Sequence, residues 1–295
     1  MAGPKFGMKG QRKFRPKYAF GARHTRTIDP HNRHKNNVPH VVKEVIRISD
    51  IVLEIVDARF IDETRHPELE NIVKESGKKL VYVINKIDLV DIDKLKEDPR
   101  LKEMQPYVLF STVGKLGKRA LRERIMIEAK RVPRDDPTHV KIHVGIMGYP
   151  NTGKSSLLNY FVGRGVAGIS KVAGFTRGMQ KVRLTKDILI LDTPGIIPKE
   201  EEDSRAKGGQ VAKHSKIGVE TFDRVKDPDL VLAIIMKEYP GALNKHYNFE
   251  TEDVEELLEH MGKEWKLLKK GGEVDTDRTA RRILEAWQTG RIKKD

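Results

Sequence analysis

Residues 83–90 read VINKIDLV, and residues 148–156 read GYPNTGKSS. In the first, an apolar run suited to a buried strand ends in Asn85-Lys86-Ile87-Asp88, a polar tetrapeptide of the form N-K-x-D. In the second, the pattern G-x-x-x-x-G-K-[ST] follows the apolar stretch HVKIHVGIM (139–147) and opens into SSLLNYFVG. A glycine-rich turn thus joins a strand to a helix, which is the context a phosphate-binding loop needs. Gly148 and Gly153 let the backbone curl with its N–H groups inward, and the helix N-terminus adds a field that favours anions. Lys154 can bridge β- and γ-phosphates, Ser155 can ligate Mg²⁺ and Ser156 can reach the α-phosphate, with Asn151 and Thr152 completing the loop. The order is unusual, because the polar tetrapeptide comes before the phosphate loop.

Companion motifs decide whether the two belong to one site. DTPG (192–195) ends the apolar run DILILD, where Asp192 can hold Mg²⁺ through water and the Gly195 N–H can bond a γ-phosphate. Between them lies KVAGFTRG (171–178), in which Thr176 is the natural Mg²⁺ ligand of a first switch loop. Asp88 can accept two hydrogen bonds from guanine N1–H and the 2-amino group. Adenine offers no such pair, and a buried carboxylate left unpaired is costly. Asn85 reaches the ring from the other side and ties loops together, while the stem of Lys86 lies along the base. FSTVGKLG (110–117) follows the next apolar run, placing Ser111, Thr112 and Val113 where a second base-contacting loop belongs. All five elements are present, in the order base reader, second base loop, phosphate loop, switch I, switch II. A closed set of contacts does not depend on where the chain starts, and neighbouring termini permit permutation. The expectation is a circularly permuted P-loop GTPase domain.

The wider chain supports an α/β reading. DIVLEIVD (50–57), KLVYVIN (79–85), YVLFS (107–111) and HVKIHVGIM read as strands, and QKVRLT with DILILD (180–192) as a strand pair. Helical stretches near 67–76 and 117–131 alternate with them, so a mostly parallel sheet with helices on both faces is expected. Beyond residue 196 a polar, glycine-containing stretch (199–218) reads as mobile, and only helical material follows. The predicted organisation is a basic extension over 1–40, the permuted domain over 41–205 and a small all-α domain over 206–295.

Composition points to an acidic partner. The 295 residues hold 57 Lys+Arg against 43 Asp+Glu, a formal charge of +14, and no cysteine. A disulfide framework and Cys-ligated metals are excluded, no apolar run is long enough to span a bilayer, and a soluble cytoplasmic protein is expected. Residues 1–40 carry ten Lys/Arg and a single acid, Asp29, interleaved with Phe6, Phe14, Tyr18 and Phe20. Cations among aromatics suit RNA, through phosphate neutralisation and base stacking. A solvated tail, or one resting on an anionic membrane, is the plainer reading of the same residues.

With its motif order, the stretch SDIVLEIVDAR (49–59) and the closing segment GGEVDTDRTARRILEAWQTGRI (271–292), the chain from about 40 onward resembles the circularly permuted GTPases of the ribosome-assembly group, the YlqF/RbgA-like family. The resemblance implies GTP hydrolysis with Mg²⁺, binding to the large ribosomal subunit or its precursors through rRNA, and a role in assembling that subunit. Two other readings stay open: a GTP-gated RNA-binding module with negligible turnover, and a tRNA-directed or regulatory GTPase. Ile196 stands where a water-orienting Gln follows DTPG, so unassisted hydrolysis should be slow, with Lys154 and Gly195 left to stabilise the transferred phosphoryl group. The family's catalytic His aligns best with His34, whose plainer role is an RNA contact. Asn151 occupies the position at which potassium-activated GTPases ligate K⁺, or else makes a simple loop hydrogen bond.

Overall fold

β1 (Ile51–Asp57) is apolar except at Glu54 and Asp57, and all of it is buried. A strand covered on both faces reads as a continuous apolar run, and β1 lies near the centre of a seven-stranded sheet. The other strands are β2 (Lys79–Asn85), β3 (Tyr107–Leu109), β4 (Ile142–Gly148), β5 (Ile169–Ser170), β6 (Lys181–Arg183) and β7 (Ile188–Leu191), in the spatial order β3-β2-β1-β4-β7-β6-β5. β1 pairs in parallel with both β2 and β4, β3 extends the parallel sheet from β2 and β7 extends it from β4. The pairs β5–β6 and β6–β7 are antiparallel. The computed structural model describes residues 40–133, 141–162, 169–170, 181–191 and 213–294. The basic extension with His34, the two switch loops with Thr176, Asp192 and Gly195, and residues 199–212 lie outside them.

Helices cover both faces as the alternation predicts. α1 (His40–Ile48) places Val42 and Ile46, and α3 (Pro67–Glu75) places Leu69 and Val73, against the side of β1 that carries Val52 and Val56. Three short helices, α2 (Ile61–Thr64), α4 (Ile92–Glu97) and α5 (Arg100–Glu103), complete that part of the chain. On the opposite face, α6 (Lys118–Lys130) buries Leu121 and Ile125, and α7 (Lys154–Val162) buries Leu157, Leu158 and Phe161, against Ile51, Leu53 and Ile55. Each fully buried aliphatic side chain contributes roughly 1.5–3 kcal/mol.

The C-terminal helices are α8 (Pro228–Glu238), α9 (Ala242–Tyr247), α10 (Val254–Glu264) and α11 (Thr276–Gln288). Asp275 caps α11 through the Arg278 N–H at 3.1 Å, and Gly290 closes it with φ +79°. This bundle has its own cluster of buried side chains, to which the rest of the chain adds two. Phe60, from the loop after β1, and Tyr149, from the phosphate loop, are buried in it beside Leu232, Leu257, Ile283 and Trp287. The stretch expected to be mobile differs from that reading where it is described. Residues 213–216 are helical, and His214, Ser215, Lys216 and Ile217 are buried. The Trp287 indole donates to the Lys216 carbonyl at 3.1 Å and Gln288 donates to the Ser215 carbonyl at 2.7 Å, so α11 satisfies polar backbone that the sequence alone left without partners. Among the described residues, no helix is long and apolar enough to cross a membrane.

One buried polar cluster makes stability depend on pH. Glu54, in mid-β1, accepts from the His66 N–H at 2.7 Å, while neighbouring Glu70 is held by Arg65 at 2.9 Å and by the Tyr82 hydroxyl at 2.6 Å. Burial, and then the charge of Glu70, push the Glu54 carboxyl up to about 8. The folded chain therefore keeps a proton that the unfolded chain releases above pH 4.5, and stability contributed by neutral Glu54 is lost as pH rises from 4.5 through about 8. Glu54→Gln keeps the shape and removes the titration, so its melting temperature should decline less across that window than the parent's. Parallel melting curves would show that Glu54 is ionised in the folded chain.

Candidate functional site

The C-terminal ends of β1, β2 and β4 open on one edge of the sheet, where the chain's connections turn from one side to the other. Such a switch point is where open α/β sheets place ligands. β2 delivers Asn85, Lys86 and Asp88, and β4 runs through Gly148 into the phosphate loop. Although sixty-odd positions separate them, the Asn85 side-chain N–H donates to the Thr152 carbonyl at 2.7 Å. Both residues are buried, and the Asn85 Oδ1 has no partner among the described residues, an unmet acceptor of the kind a ligand or its water satisfies. Gly153 sits directly over this bond. It adopts φ +101°, and a Cβ there would lie 2.2 Å from the Asn85 Nδ2.

The phosphate loop turns through left-handed Asn151 (φ +59°) into the N-terminus of α7. The Thr152 hydroxyl donates to the Tyr149 carbonyl at 2.9 Å. Lys154 is buried, and its ammonium donates to the carbonyls of Gly148 (2.9 Å) and Tyr149. The cation is therefore held inside the loop by the loop's own carbonyls. Ser155 and Ser156 are exposed on the first turn of α7. The Ser155 hydroxyl is an oxygen donor of the type Mg²⁺ takes together with phosphate oxygens. Its expected co-ligands, Thr176 and Asp192, lie outside the described residues.

At the base end, Lys86 is held at φ +62° and its ammonium pairs with Asp57 at 2.8 Å. Asp88 is exposed, and the Ser111 hydroxyl donates to its Oδ1 while accepting from the Gly114 N–H at 2.8 Å. The second loop thus orients the carboxylate of the first. Thr112 is half-buried and Val113 is 82% exposed, so both backbones are within a loop open to a ligand. Asn151 donates its side-chain N–H to the Gly218 carbonyl, a bond to the turn after the 213–216 helix and not within its own loop.

Sequence reasoning missed several contributors. Tyr149 packs beside His66 with ring centroids 6.2 Å apart, and the Lys213 ammonium lies 5.6 Å from the Tyr149 ring centre. Asp57 and Arg59 form a buried ion pair at 2.8 Å behind the base reader. The only sign of that pair in the sequence is a charged Asp-Ala-Arg closing an apolar strand.

Comparison with known proteins gives the family and the fold. A family profile described as "50S ribosome-binding GTPase" matches residues 143–270, a span that begins at β4 and leaves the N-K-x-D motif upstream of it. The ribosome biogenesis GTPase A of Priestia megaterium is 30% identical over 269 residues, covering 85% of this chain and 89% of the relative. The chain belongs to that circularly permuted GTPase family. An uncharacterized GTP-binding protein of Methanocaldococcus jannaschii is 37% identical over 260 residues, covering 86% of this chain and 66% of the relative. The guanine nucleotide-binding protein-like NSN1 of Arabidopsis thaliana is 31% identical over 274 residues, and the permuted GTPase spans only 46% of it. This chain thus covers about half to two thirds of several of its relatives. GNP-bound YlqF from T. maritima shares the fold, with a TM-score of 0.57 at 23% identity over 86% of this chain and 96% of that one.

Proposed function

We propose that this permuted GTPase binds GTP between the two loops, with Asp88 reading guanine and Lys154 and the α7 N-terminus holding the phosphates. The observation that supports this reading is the Asn85–Thr152 hydrogen bond, which brings the N-K-x-D loop and the phosphate loop together. Mg²⁺ would be held by Ser155 with Thr176 and Asp192, and would neutralise phosphate charge. Hydrolysis would be slow without help, since no Gln follows DTPG.

The partner we infer is the large ribosomal subunit or its precursor, contacted through rRNA in the cytoplasm. This reading is supported by the +14 charge, by the profile's description and by the name of the Priestia relative. The GTP-bound form would engage the particle and hydrolysis would release it, with His34 and a K⁺ ion at Asn151 as the candidate aids to turnover. The test is co-sedimentation with large-subunit particles in GDP and in a non-hydrolysable GTP analogue, alongside turnover with and without particles, in K⁺ and in Na⁺. Binding favoured by the analogue, and turnover raised by particles, are expected. K⁺ should exceed Na⁺ if the ion is ligated by the Asn151 Oδ1, the amide atom that the bond to Gly218 does not use. Nucleotide-independent binding to particles, or preferential binding to free tRNA, would overturn the assignment.

A further inference from the structure

The guanine-reading loop and the last helix are joined by a buried chain of charges. Asp57 closes β1 with its side chain 2% exposed. It holds the Lys86 ammonium at 2.8 Å, the Arg59 Nε at 3.1 Å and an Arg59 terminal nitrogen at 2.8 Å. Burial raises the Asp57 carboxyl, but Lys86 and Arg59 more than offset it and keep the carboxyl below its usual range. The other terminal nitrogen of Arg59 donates to the carbonyls of Trp287 (3.1 Å) and Gln288 (3.3 Å). These are the last carbonyls of α11, where a helix carries its partial negative charge. The guanidinium therefore spans from a carboxylate on the sheet to a helix end in the bundle, which its planar fork allows and an ammonium would not.

A second contact runs beside it. Leu89, one residue beyond the N-K-x-D motif, fills the space at Gly290, where an added Cβ would come within 2.4 Å of the Leu89 Cδ1. The ammonium of Lys294 donates to the Arg59 carbonyl and lies over the Phe60 ring, 4.7 Å from its centre. The loop that carries Lys86 and Asp88 is thus packed against the end of α11 through Leu89 and linked to it through Asp57 and Arg59.

We propose that Asp57 and Arg59 are positioning residues for guanine recognition, which make the seating of the α11 C-terminus and guanine-nucleotide affinity one coupled equilibrium. The inference rests on the reading above that Lys86 lies along the base. With its ammonium anchored on Asp57 and Asp57 anchored through Arg59 on α11, the stem of Lys86 is set at a fixed angle before ligand arrives. The coupling is reciprocal: a seated helix end strengthens guanine binding, and guanine steadies the helix end by the same factor. The bundle then senses whether a guanine base is bound.

The test uses the full chain and GDP. In the parent protein, saturating GDP should increase hydrogen-exchange protection over residues 284–290. Arg59→Lys retains a cation beside Asp57 but cannot reach both sides, and should weaken GDP by about tenfold, within the range of ordinary coupling. GDP should then no longer alter protection at 284–290. Asp57→Asn should weaken GDP in the same way. A purely structural ion pair predicts something else: lower melting temperatures for both variants, with GDP affinity within twofold of the parent. That result overturns the proposal, as does unchanged exchange at 284–290 in the parent, which needs no variant to fold. If the parent bound no guanine nucleotide at all, the underlying site reading would fall first, and calorimetry on the parent alone would show it.

Discussion

Asp88→Asn is expected to lower GDP affinity by about 10²–10⁴-fold while leaving the fold intact. In the proposed mode the carboxylate would accept from two guanine donors, and each hydrogen bond to a charged group is worth about 1.5–3 kcal/mol, so the pair would amount to roughly 3–6 kcal/mol. The amide keeps one acceptor and turns an N–H toward a guanine donor, adding a mismatch to the loss. Xanthosine diphosphate carries a carbonyl where guanine carries its 2-amino group, so the variant should prefer it. The Ser111 hydroxyl already fixes one carboxylate oxygen, and this pre-orientation makes the effect large. Asp88 is exposed on the loop surface, so folding should be unaffected. Calorimetric titration with both nucleotides measures the reversal. GDP binding within tenfold of the parent would mean that some other group reads the base.

Gly153→Ala is the second large effect, and it acts on geometry alone. At φ +101° an L side chain is strained by about 1–3 kcal/mol. The new Cβ would fall 2.2 Å from the Asn85 Nδ2, where ordinary contacts are about 3.5–4.0 Å. Either Asn85 releases the Thr152 carbonyl or the start of α7 moves away, and both separate the base end of the site from its phosphate end. Affinity for GDP should fall at least about a hundredfold, since positioning errors near 1 Å have effects of that order. The helix is intact beyond its first turn, so circular dichroism should be unchanged. An alanine variant that bound GDP normally would show that the two loops need not be clasped for the site to work.

Much of the site was legible because its parts are local. A phosphate loop is specified by glycines and a lysine at fixed spacing between a strand and a helix, and N-K-x-D by four adjacent residues after a strand. The apolar run of β1, the period of α6 and the cap of α11 are likewise properties of short stretches, and the described elements follow them closely. YVLFS reaches two residues too far: β3 stops at Leu109, and Ser111 bridges to Leu116 instead while its hydroxyl serves Asp88.

Residues 213–218 were misread for a different reason. Polar and glycine-containing, they have the composition of a linker, yet Trp287 and Gln288, some seventy positions later, accommodate their carbonyls in the bundle. No window of sequence contains both partners. The same holds for Tyr149, a loop residue by position and a bundle-core residue in fact, and for Asn151, whose partner is Gly218.

By itself, then, the sequence determined that the chain carries the motifs of a GTPase and that they arise in permuted order, because short-range spacing encodes both. The tertiary structure alone decided that Asn85 clasps Thr152, that Arg59 grips the end of α11 and that the helical bundle shares a core with the phosphate loop. Those are encounters between residues 67 to 229 positions apart. They are fixed by how the sheet and bundle pack together, for which no local pattern of side chains is a substitute.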